Sequence, residues 1–300
     1  MAGPIERSTD LLPQLRDPAR RTDSGGWLYI LRGFCKKLLL ADTAAVFIDT
    51  VYAAPGTASG PAAILATVLF AGQIYWDFSG YSDIAVGAAA LLGVRLSRNF
   101  DHPYQAVSLR DFWHRWHISL TRWFTDYLYI PLGGSRCALN TLTVFLLSGL
   151  WHGASLHFVV WGGVHGLLLL AEKRIFPTDS QGRAAPARRL LTLAAVCFAW
   201  VFFRAASVSD ALTLFSRLPC GWECGSVRTA YLPSACRPGA QLALGALCLR
   251  LMPENHSMSP HRAVFWRFAA HAGSRCRMVC SAACGDSQRL YLFPILNGIP

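Results

Sequence analysis

Residues 137–171 read CALNTLTVFLLSGLWHGASLHFVVWGGVHGLLLLA and contain no Asp, Glu, Lys or Arg. A helix crosses the hydrocarbon core of a bilayer with roughly 20 apolar residues, so this stretch exceeds one span and reads as a long, tilted or broken membrane helix. Gly149, Gly153, Gly162, Gly163 and Gly166 favour a break. Three histidines, His152, His157 and His165, stand inside it. Ionisable groups are costly enough in a membrane to mark function. His152, within Ser148-Gly-Leu-Trp-His-Gly-Ala154, is the leading candidate: its flanking glycines leave room for a substrate, and an imidazole shielded from water stays neutral, as a general base must. His157 and His165 read as structural.

Composition supports the membrane reading. Of 300 residues, 53% are hydrophobic and 15% charged, with a mean hydropathy of +0.32. Soluble domains carry about 25% charged residues, so disordered, collagenous and ordinary soluble classes are excluded. The net charge of +11 comes from basic residues scattered between apolar stretches, the pattern of loops flanking membrane helices and not of a nucleic-acid surface. Ten cysteines form no C-x-x-C pair. Cys220 and Cys224, then Cys276, Cys280 and Cys284, stand four apart, a helical spacing unlike a zinc knuckle. Neither a metal site nor a nucleic-acid partner is expected.

Elsewhere the chain alternates between apolar runs and polar knots. Residues 1–26 form a polar segment without a signal peptide. Trp27 to Tyr52 reads as a helix partly in the interface, with Arg32, Lys36 and Lys37 towards the cytoplasm. A span after Pro61 ends in Tyr75, Trp76, Asp77 and Phe78, an aromatic belt with a carboxylate attached. Asp77, Ser79, Tyr81, Ser82 and Asp83 then form a polar knot suited to lining a polar path, partly explained by helix capping from Ser82 or Asp83. Ile84 to Val94 reads as a small-residue helix packed on a neighbour.

Residues 109–132 read as one amphipathic interfacial helix, because Trp113, Trp116, Leu120, Phe124 and Tyr127 recur at steps of three and four. His114 and His117 would then lie on one side, His117 turned inward beside Trp113 and Leu120 and His114 turned towards Arg110 and the outside. Leu190 to Phe203 is a further span, closed by a snorkelling Arg204. No phosphate loop, nucleophile elbow or dinucleotide fingerprint occurs. The expected organisation is a polar segment 1–26, a membrane core 27–218 and a Cys/Arg-rich tail 219–300, in an all-α, polytopic helical bundle.

Four segments resemble, in order, the membrane-bound O-acyltransferase (MBOAT) family and its bacterial alginate O-acetyltransferase branch: Asp77-Phe-Ser-Gly-Tyr-Ser-Asp83, Phe112-Trp-His-Arg-Trp-His-Ile-Ser-Leu120, Tyr127-Leu-Tyr-Ile-Pro-Leu-Gly-Gly134 and Leu150-Trp-His-Gly-Ala154. Ala2-Gly-Pro-Ile-Glu6, Leu11-Leu-Pro-Gln14 and Trp200-Val-Phe-Phe-Arg-Ala205 extend the likeness over about residues 2–218.

The resemblance implies a multi-pass inner-membrane enzyme that passes an acyl group, acetyl by preference, from a cytoplasmic thioester such as acetyl-CoA to a hydroxyl of an exported polysaccharide. No bound cofactor is implied. Periplasmic or membrane acetylation proteins and the bilayer itself are the implied partners. It assigns catalysis to His152 and His117, with Asp77, Ser79, Tyr81, Asp83, Trp113, Arg115, Trp116 and Trp151 as substrate-binding candidates. The family's first membrane helices are expected to be missing from this chain. The alternatives are an inert membrane fragment and a transporter with a histidine proton relay, the latter disfavoured by the fixed aromatic neighbours of the histidines.

Overall fold

The computed structural model describes residues 3–175, 185–223 and 236–251. Cys224, Cys276, Cys280 and Cys284 lie outside the described residues, so their spacing has no structural counterpart here. Every regular element among the described residues is helical, as the sequence requires. In chain order these are α1 (Ser8–Arg16), α2 (Gly26–Phe34), a π-helical segment (Cys35–Ala41), α3 (Asp42–Ala53), α4 (Gly60–Leu91), α5 (Leu109–Arg115), α6 (Ile118–Phe124), a second π-helical segment (Thr125–Tyr129), α7 (Ala138–His152), α8 (Leu156–Ile175), α9 (Ala185–Arg204), α10 (Val208–Ser216) and α11 (Cys236–Leu251).

Two antiparallel helix pairs set the architecture. Both rest on glycine, because helices in a lipid-like setting gain stability from close backbone approach more than from burying oil in oil. In the first pair, α2 lies on α4: a methyl group added at Gly26 would strike the Gly87 carbonyl, and one at Gly33 would strike the Gly80 carbonyl. In the second, α7 lies on α8, where a Cβ at Gly149 would meet the Phe158 carbonyl and one at Gly162 the Phe145 carbonyl. The charge-free stretch is therefore a hairpin, broken at residues 153–155 between α7 and α8. At 1.5 Å per residue, α7 is only about 22 Å long, short of a ~30 Å hydrocarbon core. Among the described residues, Gly60–Leu91 and Pro186–Arg204 are the helices long and apolar enough to cross a membrane.

Several expectations about charged groups are corrected. The interfacial helix 27–52 is three helical pieces, and Arg32 and Lys36 do not face outward. Lys36 Nζ lies 2.7 Å from an Asp83 carboxylate oxygen and Arg32 Nε lies 3.5 Å from the same atom, on side chains only 4% and 8% exposed. Lys37 bridges Asp42 at 2.7 Å and Asp77 at 2.8 Å. A buried charge must be paired, and α4 supplies the carboxylates. Ser82 and Asp83 consequently cap nothing: α4 runs unbroken through the polar knot from Gly60 to Leu91. Arg204 does not snorkel either. It forms an ion pair with Asp49 of α3 and lies 5.4 Å over the Tyr52 ring.

The core between these helices is aromatic. Trp161 of α8 and Trp200 of α9 stack with centroids 5.8 Å apart, and Trp116, Phe112 and Tyr104 extend the cluster towards α5. Residues before α2, a polar segment that carries part of the family likeness, are fastened to this assembly. The Gln14 side chain accepts from the Arg95 N–H at 2.8 Å and donates to the Arg95 carbonyl at 3.1 Å, Glu6 accepts from the Ser97 hydroxyl at 2.8 Å, and the Ile5 N–H donates to Ser119 Oγ at 3.0 Å.

Candidate active site

The expected single helix over 109–132 is broken at the residue that matters most. Backbone conformation turns left-handed at His117 (φ 43°, ψ 54°), separating α5 from α6. Such a conformation is unfavourable by roughly 1–3 kcal/mol for a residue with a side chain and persists only where its surroundings impose it. Here they do. The Asn99 carbonyl accepts the Ile118 N–H at 2.9 Å, and Asn99 Oδ1 accepts both the N–H and the hydroxyl of Ser119 at 3.2 and 2.6 Å. Two amides at the start of α6, which no turn of that helix can satisfy, are thus capped from a distant loop. The corner separates the two histidines of this segment: His114 is exposed, whereas His117 is buried, as the sequence had suggested for each. They do not share one helical side.

The corner meets the α7–α8 hairpin at Trp151. Its ring centroid lies 5.0 Å from that of His152 and 6.4 Å from that of His117. His152, the last residue of α7, is 9% exposed, with the rings of Trp161 and Phe203 edge-on at 5.2 Å each. His117, 4% exposed, has the Phe78 ring edge-on at 4.6 Å and Asn99 Oδ1 at 3.3 Å from Nδ1. Two imidazoles from separate elements therefore share one aromatic chamber, bounded by a Trp151 that is itself 40% exposed.

One expectation about His152 is corrected. The glycines beside it do not leave an opening: a Cβ at Gly153 would come within 2.6 Å of the Phe158 ring, and Gly149 is pressed against the Phe158 backbone. They let α8 close on α7 and so hold His152 in place. A cleft of about 390 Å³ runs between α5–α6 and the hairpin, with exposed Arg110, His114 and Lys173 at its rim and buried Leu120, Phe124 and Ser148 deeper in; its lining stops short of His117, His152 and Trp151. Ser148 is one turn before His152, and Leu120 one turn after His117.

The other sequence candidates divide. Trp151 touches both histidines, Trp113 lines the cleft and contacts Phe145 and His165, and Trp116 lies deeper, stacked on Phe112. Asp77 and Asp83 are engaged by the cations of α2 and the first π-helical segment. Ser79 is buried and Tyr81 exposed. Arg115 pairs with Asp111 at 2.6 Å and donates to the Asp101 carbonyl. In that loop a hydrogen bond with His102 holds the Asp101 carboxyl below its ordinary range. His157 bonds the Phe202 carbonyl at 3.1 Å, and His165 is enclosed by Trp113, Trp161 and Trp200. Sequence reasoning named none of Asn99, Ser119, Phe78 and Phe203 as site residues: Phe78, Ser119 and Phe203 lie within segments singled out for other residues, and Asn99 carries no periodicity or spacing signal.

Comparison with known proteins identifies the family. The model of MBOAT, the membrane-bound O-acyltransferase family, matches residues 1–212. A probable alginate O-acetylase AlgI of Pseudomonas fluorescens is 40% identical over 227 residues, covering 73% of this chain and 45% of that protein. A peptidoglycan O-acetyltransferase of Helicobacter pylori is 35% identical over 225 residues, covering 71% and 43%. A teichoic acid D-alanyltransferase of Bacillus subtilis is 28% identical over 149 residues, covering 43% and 38%. The chain spans about half the length of the first two relatives. With two buried histidines from separate motifs gathered at one tryptophan and a family match across most of its length, the chain belongs to the membrane-bound O-acyltransferase family.

Proposed function

We propose that the protein is a multi-pass enzyme of the bacterial inner membrane that transfers an acetyl group from a cytoplasmic thioester such as acetyl-CoA to a hydroxyl of an exported polysaccharide, with alginate as the nearest model. The observation that carries this reading is the pairing of His117 and His152 around Trp151. An exported polymer and periplasmic or membrane acetylation proteins are its proposed partners. The names of the relatives, an alginate O-acetylase, a peptidoglycan O-acetyltransferase and a teichoic acid D-alanyltransferase, are consistent with an acyl group delivered to a polymer.

In the proposed reaction His152 takes the proton of the acceptor hydroxyl as its oxygen attacks the thioester carbonyl, and His117 orients that hydroxyl or steadies the charge that develops. The C–S bond then breaks, and the thiolate leaves with the proton returned by the imidazolium. The cleft beside the pair suits the donor: Arg110 and Lys173 give its rim positive charge for an anionic carrier, and its buried end excludes the water that would hydrolyse the thioester. Trp113, Leu120 and Phe124 supply the apolar walls. We assign Asp77 and Asp83 to holding the helices together, since cations already occupy them.

His152→Ala tests the reading. Removing a general base slows transfer by roughly 10²- to 10⁴-fold, so polysaccharide acetylation is lost in cells that carry the variant at normal abundance in the membrane. Normal acetylation by that variant overturns the assignment.

A further inference from the structure

We infer that Asn99 is a positioning residue for this site, its side-chain carbonyl holding His117 as the tautomer protonated on Nδ1 so that Nε2 offers a lone pair to a neighbouring hydroxyl of the acceptor sugar, leaving the proton of the reacting hydroxyl to His152. The inference rests on the function proposed above and deepens it, since it selects orientation of the acceptor over stabilisation of an oxyanion by a neutral His117.

The argument begins with a donor whose identity is fixed. The Ser119 backbone N–H can only donate, so the Asn99 side-chain atom 3.2 Å from it is the carbonyl oxygen and not the amide nitrogen. The Ser119 hydroxyl leads to the same answer. Its oxygen accepts the Ile5 N–H at 3.0 Å, which directs its own proton to Asn99 Oδ1 at 2.6 Å. The amide nitrogen of Asn99 then faces Ser82 Oγ at 3.5 Å. With Oδ1 fixed as an acceptor, His117 Nδ1, 3.3 Å away, makes a favourable contact only when it carries the proton. A neutral imidazole has one N–H, so Nε2 holds the lone pair. Asn99 is 2% exposed and Ser119 6%, and no competing water reaches the carbonyl from bulk solvent. The same residue caps the amides of Ile118, through its main-chain carbonyl, and Ser119, through Oδ1, so Asn99 supports the left-handed backbone at His117 and its side chain sets the proton on the ring. Through Ile5 the chain's first residues join this arrangement, which gives the Pro4-Ile-Glu6 segment a place in the site.

The test uses the intact protein in its native membranes, with radiolabelled acetyl-CoA as donor and alginate oligosaccharide as acceptor, and follows transfer against pH. Asn99→Leu removes the carbonyl, and we expect transfer to fall at least about tenfold, since wrong-tautomer histidines in hydrolytic triads cost up to ~10⁴-fold. Asn99→Asp keeps an acceptor for Ser119 and for Nδ1 but adds negative charge. The titratable group facing His117 across Trp151 is His152 of α7, while Phe78 and Ser82 of α4 and Trp151 do not titrate in this range. A new carboxylate favours imidazolium, which has no lone pair. The acid limb of the profile therefore moves up by about one pH unit, with transfer recovered above it, a shift that a purely structural role would not produce. Should Asn99→Leu fail to accumulate, Asn99→Asp carries the test alone. Wild-type transfer by Asn99→Leu, or an Asn99→Asp profile superimposed on wild type, overturns the inference while leaving the proposed function standing. Full transfer by His117→Ala overturns the role of His117 itself, and the inference with it.

Discussion

Asp83 looks like a substrate-path residue in the sequence and like a structural counter-ion in the fold, and one substitution separates the two. Asp83→Asn keeps the shape of the side chain but takes the charge from Lys36 at 2.7 Å and Arg32 at 3.5 Å, whose side chains are 4% and 8% exposed. Removing one partner of a buried ion pair destabilises by roughly 3–5 kcal/mol, a large part of the 5–15 kcal/mol that holds a typical domain folded. Asp77→Asn is the control. Lys37 is 28% exposed and retains Asp42 at 2.7 Å, so the expected loss is below about 1 kcal/mol. For a chain of this size the two losses correspond to roughly 10 °C or more against about 2–4 °C in Tm. The assay is thermal unfolding of purified protein in detergent, followed by the fluorescence of its tryptophans, together with abundance in the membrane. Adding Lys36→Met to Asp83→Asn should recover part of the loss, because a buried cation leaves with the carboxylate. An Asp83→Asn protein with wild-type Tm but no acyl transfer would refute the reasoning and return Asp83 to the reaction.

His117→Ala should impair transfer more than His114→Ala in the same acetylation assay, because His117 is buried beside Trp151 whereas His114 stands exposed at the cleft rim; the opposite order would mean that the corner is turned the wrong way. His117→Gly should unfold at a higher temperature than His117→Ala, by about 1 kcal/mol in stability, since both lose the ring but only glycine is at ease in the left-handed region; equal Tm values would place no strain at this residue. Gly149→Ala should lower both Tm and transfer: helix propensity alone favours alanine by about 1 kcal/mol, but the added methyl meets the Phe158 carbonyl and must push α8 away from His152. A rise in Tm would show that propensity outweighs packing there.

The break in the charge-free run was legible because its signal is local. A run too long for one span, punctuated by glycines, favours a break, although a long or tilted helix fits the same count; the fold-back and the fate of Gly149, Gly153 and Gly162 follow once α7 and α8 touch. The burial of His152 was legible for the same reason. What the sequence could not display is pairing across distance: Lys36 and Arg32 looked like cytoplasmic cations until α4 brought Asp83 against them, and Arg204 looked like a snorkelling end until α3 brought Asp49.

The corner at residues 116–118 shows the limit most clearly. In a continuous α-helix successive side chains point about 100° apart, so a helix lying on a surface cannot bury neighbours at will. Yet Trp116, His117, Ser119 and Leu120 are all 6% exposed or less. Trp116 enters the aromatic core beside Phe112 and Trp200, while His117 turns to Phe78 and Trp151. Only a change of backbone hand between α5 and α6 sends adjacent residues into two different interiors. The cause of that change sits in Asn99, eighteen residues before His117 along the chain, where no periodicity within 109–132 could have announced it. A pattern of apolar residues at three and four steps is thus compatible both with one interfacial helix and with two short helices around a left-handed histidine. The choice between them is made by a buried carbonyl that the pattern does not contain.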